Sequence, residues 1–235
     1  MTKQVQRWHL YQNVDELVSY AERAVVRAAA EARVRRGRFD LVLAGGTTPR
    51  TLYERLAAAN AGGVRWQVWF GDERCLPAGH ADRNESMARD AWLDGSDIPP
   101  EQIHAIPGGL DPETAARSYA GSLGGVENFD LVLLGLGEDG HTASLFPGQR
   151  TGLDEKAADA VPVTDAPKPP PERVSLSAGR LSRARQVMVL ATGAAKAEAI
   201  ARWRRGEELP IAHVVPPAGV DILVDPEALP SIDAG

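Results

Sequence analysis

With one cysteine, Cys75, among 235 residues, the chain can form no internal disulfide and no cysteine-built metal site. That scarcity fits a reducing compartment. Histidine is sparse too. His9, His80, His104, His141 and His213 are scattered, with no pair four apart and no other spacing that metal ligands use. No metal is therefore expected. No apolar run approaches the roughly 18 residues of a membrane span, and residues 1–8 lack the apolar core of a signal peptide. The expected location is the cytoplasm. Positive charge is not in excess: the formal net charge of −6 argues against nucleic acid and anionic membrane as general partners. An anionic small molecule needs only a local cluster of cations. No internal repeat or break in composition marks a second domain, so one domain over residues 1–235 is expected.

What is present is an ordinary globular composition, 43% hydrophobic and 25% charged, in a chain long enough to bury a full core. Strand patterns fall at residues 8–10, 39–44, 66–70, 103–106, 129–134, 173–177, 186–191 and 221–224. Between them, Asn13 with Glu16 three residues later spells a capping box, and Val14, Leu17, Val18, Ala21, Val25, Ala28, Ala29 and Ala32 recur at helical spacing until Gly37. Pro49 suits the first position of a second helix, residues 84–93 form a third, and Asp111-Pro112-Glu113 opens a fourth. Residues 194–205 form the last, and residues 149–172, polar and proline-rich, read as a long loop of the kind that carries function. Alternating strands and helices predict an α/β fold, a Rossmann-like three-layer sandwich around a mostly parallel central sheet.

The chemistry concentrates in residues 135–148, Gly-Leu-Gly-Glu-Asp-Gly-His-Thr-Ala-Ser-Leu-Phe-Pro-Gly, directly after the apolar strand at 129–134. Ligands of open α/β sheets bind at the carboxyl ends of strands, and a neutral His141 with Asp139 two residues before it is suited to general-base work. Gly135, Gly137 and Gly140 also spell a dinucleotide fingerprint. Glu138 and Asp139 would put negative charge in that pyrophosphate cradle, and Pro147 would halt the helix it needs. Gly45-Gly46-Thr47-Thr48 forms a better anion site, with backbone amides, two hydroxyls and a helix amino end. The same segment also reads as a plain turn with Thr48 as helix cap. Arg173 and Lys196 fall near element ends where a phosphate is held, though each alone also reads as a solvated cation. Asp72-Glu73-Arg74 ends the strand at 66–70, at the same sheet edge as His141. Ser122 and Ser144 lack the strand that a nucleophile elbow requires. Trp66, Trp69, Trp92 and Trp203 read as core, and Cys75 beside Arg74 has no other mark of a reactive thiol.

Six segments, in order and at matching intervals, resemble one family. They are residues 44–49, 70–74, 82–84, 135–148, 168–173 and 193–196, within a span of about Phe39 to Ala228. The family is that of the 6-phosphogluconolactonases, grouped with the glucosamine-6-phosphate isomerases and deaminases. The resemblance implies a hydrolase that opens 6-phospho-D-glucono-1,5-lactone without a cofactor, with a phosphosugar lactone as its only partner and a monomer as the favoured state. It implies His141 as the base that activates water, Asp139 as its partner or a substrate-hydroxyl ligand, and Arg74 as the oxyanion stabiliser. Gly46, Thr47, Arg173 and Lys196 resemble the phosphate site, to which the loop chemistry adds Gly45 and Thr48. Asp72 and Asn84 are similar to sugar-ring or carbonyl contacts. The deaminase branch carries a glutamate five residues after its histidine, and here that position is Phe146, which transfers no proton. Arg83 stands where many relatives have serine, and Ser175 and Ser177 where they have threonine. Two alternatives remain beside the lactonase: a phosphosugar isomerase or deaminase, and a phosphosugar-binding sensor without catalysis.

Overall fold

Asn13 caps the first helix as its sequence predicts, its side chain accepting the Glu16 amide at 2.9 Å. The reciprocal bond falls one residue early, from the Gln12 amide to Glu16 at 2.8 Å. Residues 3–229 are described by the computed structural model; the remaining ends of the expected domain, residues 1–2 and 230–235, lie outside the described residues. In chain order the elements are β1 (Gln6–Leu10), α1 (Val14–Arg36), β2 (Phe39–Leu43), α2 (Thr47–Ala58), β3 (Trp66–Phe70), β4 (Asp72–Arg74), α3 (Asn84–Ala91), β5 (Ile103–His104) and α4 (Pro112–Ser122). Then come β6 (Phe129–Gly135), β7 (Ala160–Val163), β8 (Arg173–Leu176), α5 (Ala178–Ser182), β9 (Ala184–Ala191), α6 (Ala197–Arg204) and β10 (Val220–Val224).

Seven strands form one sheet in the order β1-β10-β9-β6-β2-β3-β5, and every neighbouring pair runs parallel. With helices layered on it, this is the three-layer α/β sandwich expected from the alternation. The two middle strands carry one pentapeptide twice: Phe39-Asp40-Leu41-Val42-Leu43 in β2 and Phe129-Asp130-Leu131-Val132-Leu133 in β6. All ten residues are buried, as strands covered on both faces require. The buried Asp40 and Asp130 are neutralised at the amino ends of these strands, where the Arg36 guanidinium bonds to both and Arg38 adds a second partner for Asp40. Trp66, Trp69, Trp92 and Trp203 lie in the core.

Chain order places the ligand crevice. From β2 the chain winds outward through β3 to β5, then returns to β6 on the other side of β2 and winds through β9 to β10. The winding reverses between β2 and β6, so their following loops diverge and leave a crevice at the carboxyl edge. Gly45 and Gly46 follow β2, and the Gly137–His141 turn follows β6.

Three local expectations change. The second helix begins at Thr47, capped by the backbone of Gly46 at φ +110°, so Thr48 lies inside the helix and Pro49 is its third residue rather than its first. Proline fits there because the amides of the first turn have no partner within the helix. Asp72-Glu73-Arg74 is no strand-end loop but a strand, β4, in a second sheet of order β4-β8-β7 with antiparallel pairing. The 149–172 segment is not wholly loop, because it contains β7 at the far edge of that small sheet.

Candidate active site

Above the crevice the structure encloses a cleft of about 220 Å³ whose walls come from six separate stretches of chain. Of the residues singled out in the sequence, Gly45, Gly46, Asp72, Arg74, Asn84, His141, Arg173 and Lys196 line it, and Asp139 stands beside His141 without lining it. Thr47 and Thr48 do not line it. Thr47 is exposed, and the Thr48 hydroxyl is bound to the Thr192 hydroxyl at 2.6 Å, which ties the start of α2 to the loop before Lys196. What α2 offers the cleft is its amino end: no side chain caps it and no acid stands in its first turn. Such an end attracts an anion.

The turn after β6 is built to hold one imidazole. Gly137 N–H donates to the His141 carbonyl at 2.7 Å, Gly140 N–H donates to the Gly137 carbonyl at 3.0 Å, and the Thr142 hydroxyl donates to the Gly135 carbonyl at 2.9 Å. The amides of Gly137 and Gly140 are spent inside the turn, so they form no convergent cradle for a pyrophosphate. Arg202 on α6 donates to the Asp139 carbonyl at 3.1 Å and anchors the turn from outside. Asp139 Oδ1 lies 2.5 Å from His141 Nδ1 and also accepts the His141 amide at 3.1 Å. Burial opposes ionisation of Asp139, but the His141 amide and imidazole outweigh it and hold the carboxyl below its ordinary range. An ionised carboxylate only accepts, so Nδ1 of His141 carries the hydrogen and Nε2 of the neutral ring is left as the acceptor. The ring packs against buried Phe146, with centroids 4.9 Å apart.

Strand β4 sorts its three charged residues by side. Asp72 and Arg74 line the cleft, whereas Glu73 points the other way, as alternation along a strand demands. Asp72 is held on both oxygens: the Ser144 hydroxyl donates to Oδ2 at 2.6 Å and the Asn84 amide donates to Oδ1 at 3.1 Å. The Glu73 carboxylate accepts the amides of Asn84 and Glu85 at 2.8 Å each, and so caps α3, whose own preceding residue Arg83 makes no side-chain cap. Burial pushes the Glu73 carboxyl up against the pull of those amides and of Arg83. Arg83 is itself fully buried and donates to the carbonyls of Arg74, Leu76 and Ile106. The serine-to-arginine difference therefore braces the loop behind the site rather than reaching the cleft.

In the small sheet Arg74 stands directly opposite Arg173. Like charges placed so are destabilising without a counter-ion between them. Lys168 and Lys196 line the same cleft, which makes four cations against the carboxylates of Asp72 and Glu138. Arg173 is buried; burial first, and then Arg74, lower its pKa, while Asp72 and Glu73 raise it. Its Nε donates to the Pro170 carbonyl at 3.0 Å and its Nη2 to the Lys168 carbonyl at 2.8 Å, which leaves Nη1 without a protein partner among the described residues. Lys196 ends a short 3-10 turn, and the loop before it is tied down by the buried Asp225, which accepts the Gly193 amide at 3.0 Å. Burial, and then Glu172, push the Cys75 thiol up to about 11, away from the thiolate that reactivity needs.

Sequence reading missed Lys168, Ser144 and Glu73. Lys168 sits in a proline-rich stretch that carries no periodic signal, and Ser144 attracted attention only as a nucleophile. Glu73 lay inside a motif whose neighbours face the cleft.

Fold and cleft together define an α/β protein that gathers four cations beside a carboxylate–imidazole pair. The sequence profile of the glucosamine-6-phosphate isomerases/6-phosphogluconolactonase family matches residues 12–223, and the chain belongs to that family. It is 39% identical over 214 residues to a 6-phosphogluconolactonase of Rattus norvegicus, covering 86% of this chain and 83% of that protein. The solved structure of a 6-phosphogluconolactonase from Thermotoga maritima superposes with a TM-score of 0.86 at 24% identity, covering 94% of this chain and 100% of the other. A monomeric glucosamine-6-phosphate deaminase shares the fold at a TM-score of 0.79 and 22% identity, over 94% of this chain and 98% of the other. The fold alone is common to both activities, so the side chains of the site must separate them.

Proposed function

We propose that this chain hydrolyses 6-phospho-D-glucono-1,5-lactone to 6-phospho-D-gluconate, the lactone-opening step of the oxidative pentose phosphate pathway. The observation that carries the reading is the Asp139–His141 pair, 2.5 Å apart, in a cleft lined by four cations. Nε2 of His141 takes a proton from water as that water attacks the lactone carbonyl. Asp139 fixes the tautomer and balances the imidazolium that forms. Arg74 faces the developing oxyanion. The amino end of α2 at Gly45, Gly46 and Thr47, with Lys196 and Nη1 of Arg173, holds the phosphate, and Thr48 supports that end through Thr192. Asp72 and Asn84 contact the sugar ring. When the tetrahedral intermediate collapses, the ring oxygen leaves and receives a proton, so water and lactone give an acid and a free hydroxyl with no redox change.

A lactone is an activated ester, so modest catalysis suffices. General-base catalysis supplies about 10²–10⁴-fold and an oxyanion donor about 10²–10³-fold. No covalent nucleophile or cofactor enters. The deaminase alternative lacks its acid, because Phe146 is 2% exposed and packed on His141 and Arg173. We propose further that the protein is a single-domain monomer of the cytoplasm, a reducing compartment that its one cysteine fits. Among the described residues no helix is long and apolar enough to cross a membrane.

The test is a pH-stat assay with freshly prepared lactone, corrected for spontaneous opening, beside an ammonia-release assay with glucosamine 6-phosphate. Lactone hydrolysis without ammonia release is expected, and the reverse pattern overturns the assignment. His141→Ala should lower kcat by about 10²–10⁴-fold while 6-phosphogluconate still binds; an unchanged rate removes His141 from the mechanism.

A further inference from the structure

The proline-rich stretch before β8 is fastened with more care than a solvent loop requires. Arg173, 6% exposed, donates to the carbonyls of Lys168, Pro169 and Pro170 at 2.8, 3.4 and 3.0 Å. A buried guanidinium is thus used to set the backbone of the residue that carries Lys168 into the cleft. There the Lys168 ammonium lies 3.6 Å from Glu138, and the side chains are 52% and 59% exposed. Glu138 belongs to the turn that presents His141, so the pair spans the cleft between two loops that share no strand. An exposed ion pair of this length adds little stability, so stability does not account for the arrangement. A phosphate monoester does: it carries nearly twice the charge of a carboxylate and three strong acceptor oxygens, and it competes well for an ammonium already at the rim.

We propose that Lys168 is a phosphate-binding residue of this cleft, held at its rim by Glu138 and transferred to the substrate's phosphate on binding. The proposal rests on the functional reading above for the identity of the substrate, and on the geometry alone for the anion. Glu138 then sets selectivity, because a neutral or singly charged sugar cannot displace it from Lys168. No bond is made or broken in the exchange; one ion pair replaces another.

Lys168→Ala should raise KM for the lactone about tenfold with kcat within about twofold, the pattern of lost uniform binding. Lys168→Arg should recover most of the loss. Calorimetric titration with inorganic phosphate should show the same weakening without any turnover. Glu138→Gln should tighten phosphate binding by about threefold, and that gain should shrink when Lys168→Ala is already present, because the carboxylate acts through the ammonium. Unchanged phosphate affinity in Lys168→Ala overturns the proposal, and so does a loss of kcat and melting temperature with phosphate affinity intact. An undiminished Glu138→Gln gain in the Lys168→Ala background overturns the exchange. If the wild-type protein opens no lactone yet Lys168→Ala still loses phosphate affinity, the functional reading fails and the phosphate site stands.

Discussion

Gly137 and Gly45 are held to glycine by the side chains that lie on them. A Cβ at Gly137 would fall 2.0 Å from Nδ1 of His141, and one at Gly45 would fall 2.1 Å from Oδ1 of Asn84. The His141 imidazole therefore rests on bare backbone, which fixes its distance to Asp139. Gly137→Ala should push the ring off that carboxylate and lower kcat by about 10²-fold, because a misplacement of about 1 Å costs that much. KM should change little, since the cations of the cleft are untouched. Steady-state kinetics check this, and a kcat within a factor of two of wild type would show that the ring relaxes without losing its partner. His141 and Asp139 were legible in the sequence because they are two residues apart on a turn after a strand. Lys168 was not, since only the Arg173 bonds to its backbone and the Glu138 carboxylate across the cleft give it a place.

Among the elements, β4, β7 and β8 repay attention most. Three consecutive charged residues show no apolar alternation, and Pro162 in β7 fits an edge strand but marks none in sequence. Only the middle strand, β8, was legible, at 173–177, so the small sheet was not, nor was the pairing that puts Arg74 across from Arg173. Helix α3 is a related case. Its sequence places no good cap before Asn84, and the cap arrives from Glu73, eleven residues earlier. Glu73→Ala removes that cap and one of two carboxylates beside the buried Arg83, whose Nη2 lies 3.7 Å from Glu73 and stays paired with Glu85 at 3.1 Å. Loss of a helix cap made of charged hydrogen bonds costs about 1–3 kcal/mol. Urea denaturation should show a drop of that size, and a change below about 0.5 kcal/mol, the usual range for a surface substitution, would mean that water replaces the cap.

At the scale of the molecule, carboxylates held below their ordinary range make the fold sensitive to acid. Burial opposes ionisation of Asp221 and Asp139, yet Arg7 and His9 lower the first and His141 lowers the second. A depressed folded value means that the folded state binds fewer protons below about pH 3.9, the unfolded value for aspartate. The stability these groups add is full above that pH and is lost as pH falls through their folded values. Urea midpoints should therefore fall below about pH 4, and Asp221→Asn should flatten part of that fall. Equal slopes in the two proteins would count against the Arg7–Asp221–His9 cluster as a source.

The strands of the parallel sheet, the caps of α1 and α4, the class of fold and the carboxylate–imidazole turn were determined by the sequence itself. Each depends on residues within one or two turns of one another, where spacing and capping chemistry act. Which strands lie side by side was decided only in the tertiary structure. The reversal of winding between β2 and β6 opens the crevice, and the small antiparallel sheet turns Arg74 and Arg173 into facing cations. Four positive groups that read singly as solvated surface thereby come to line one cleft. Their number was in the sequence; their convergence brings to one cleft residues up to 122 positions apart, from Arg74 to Lys196.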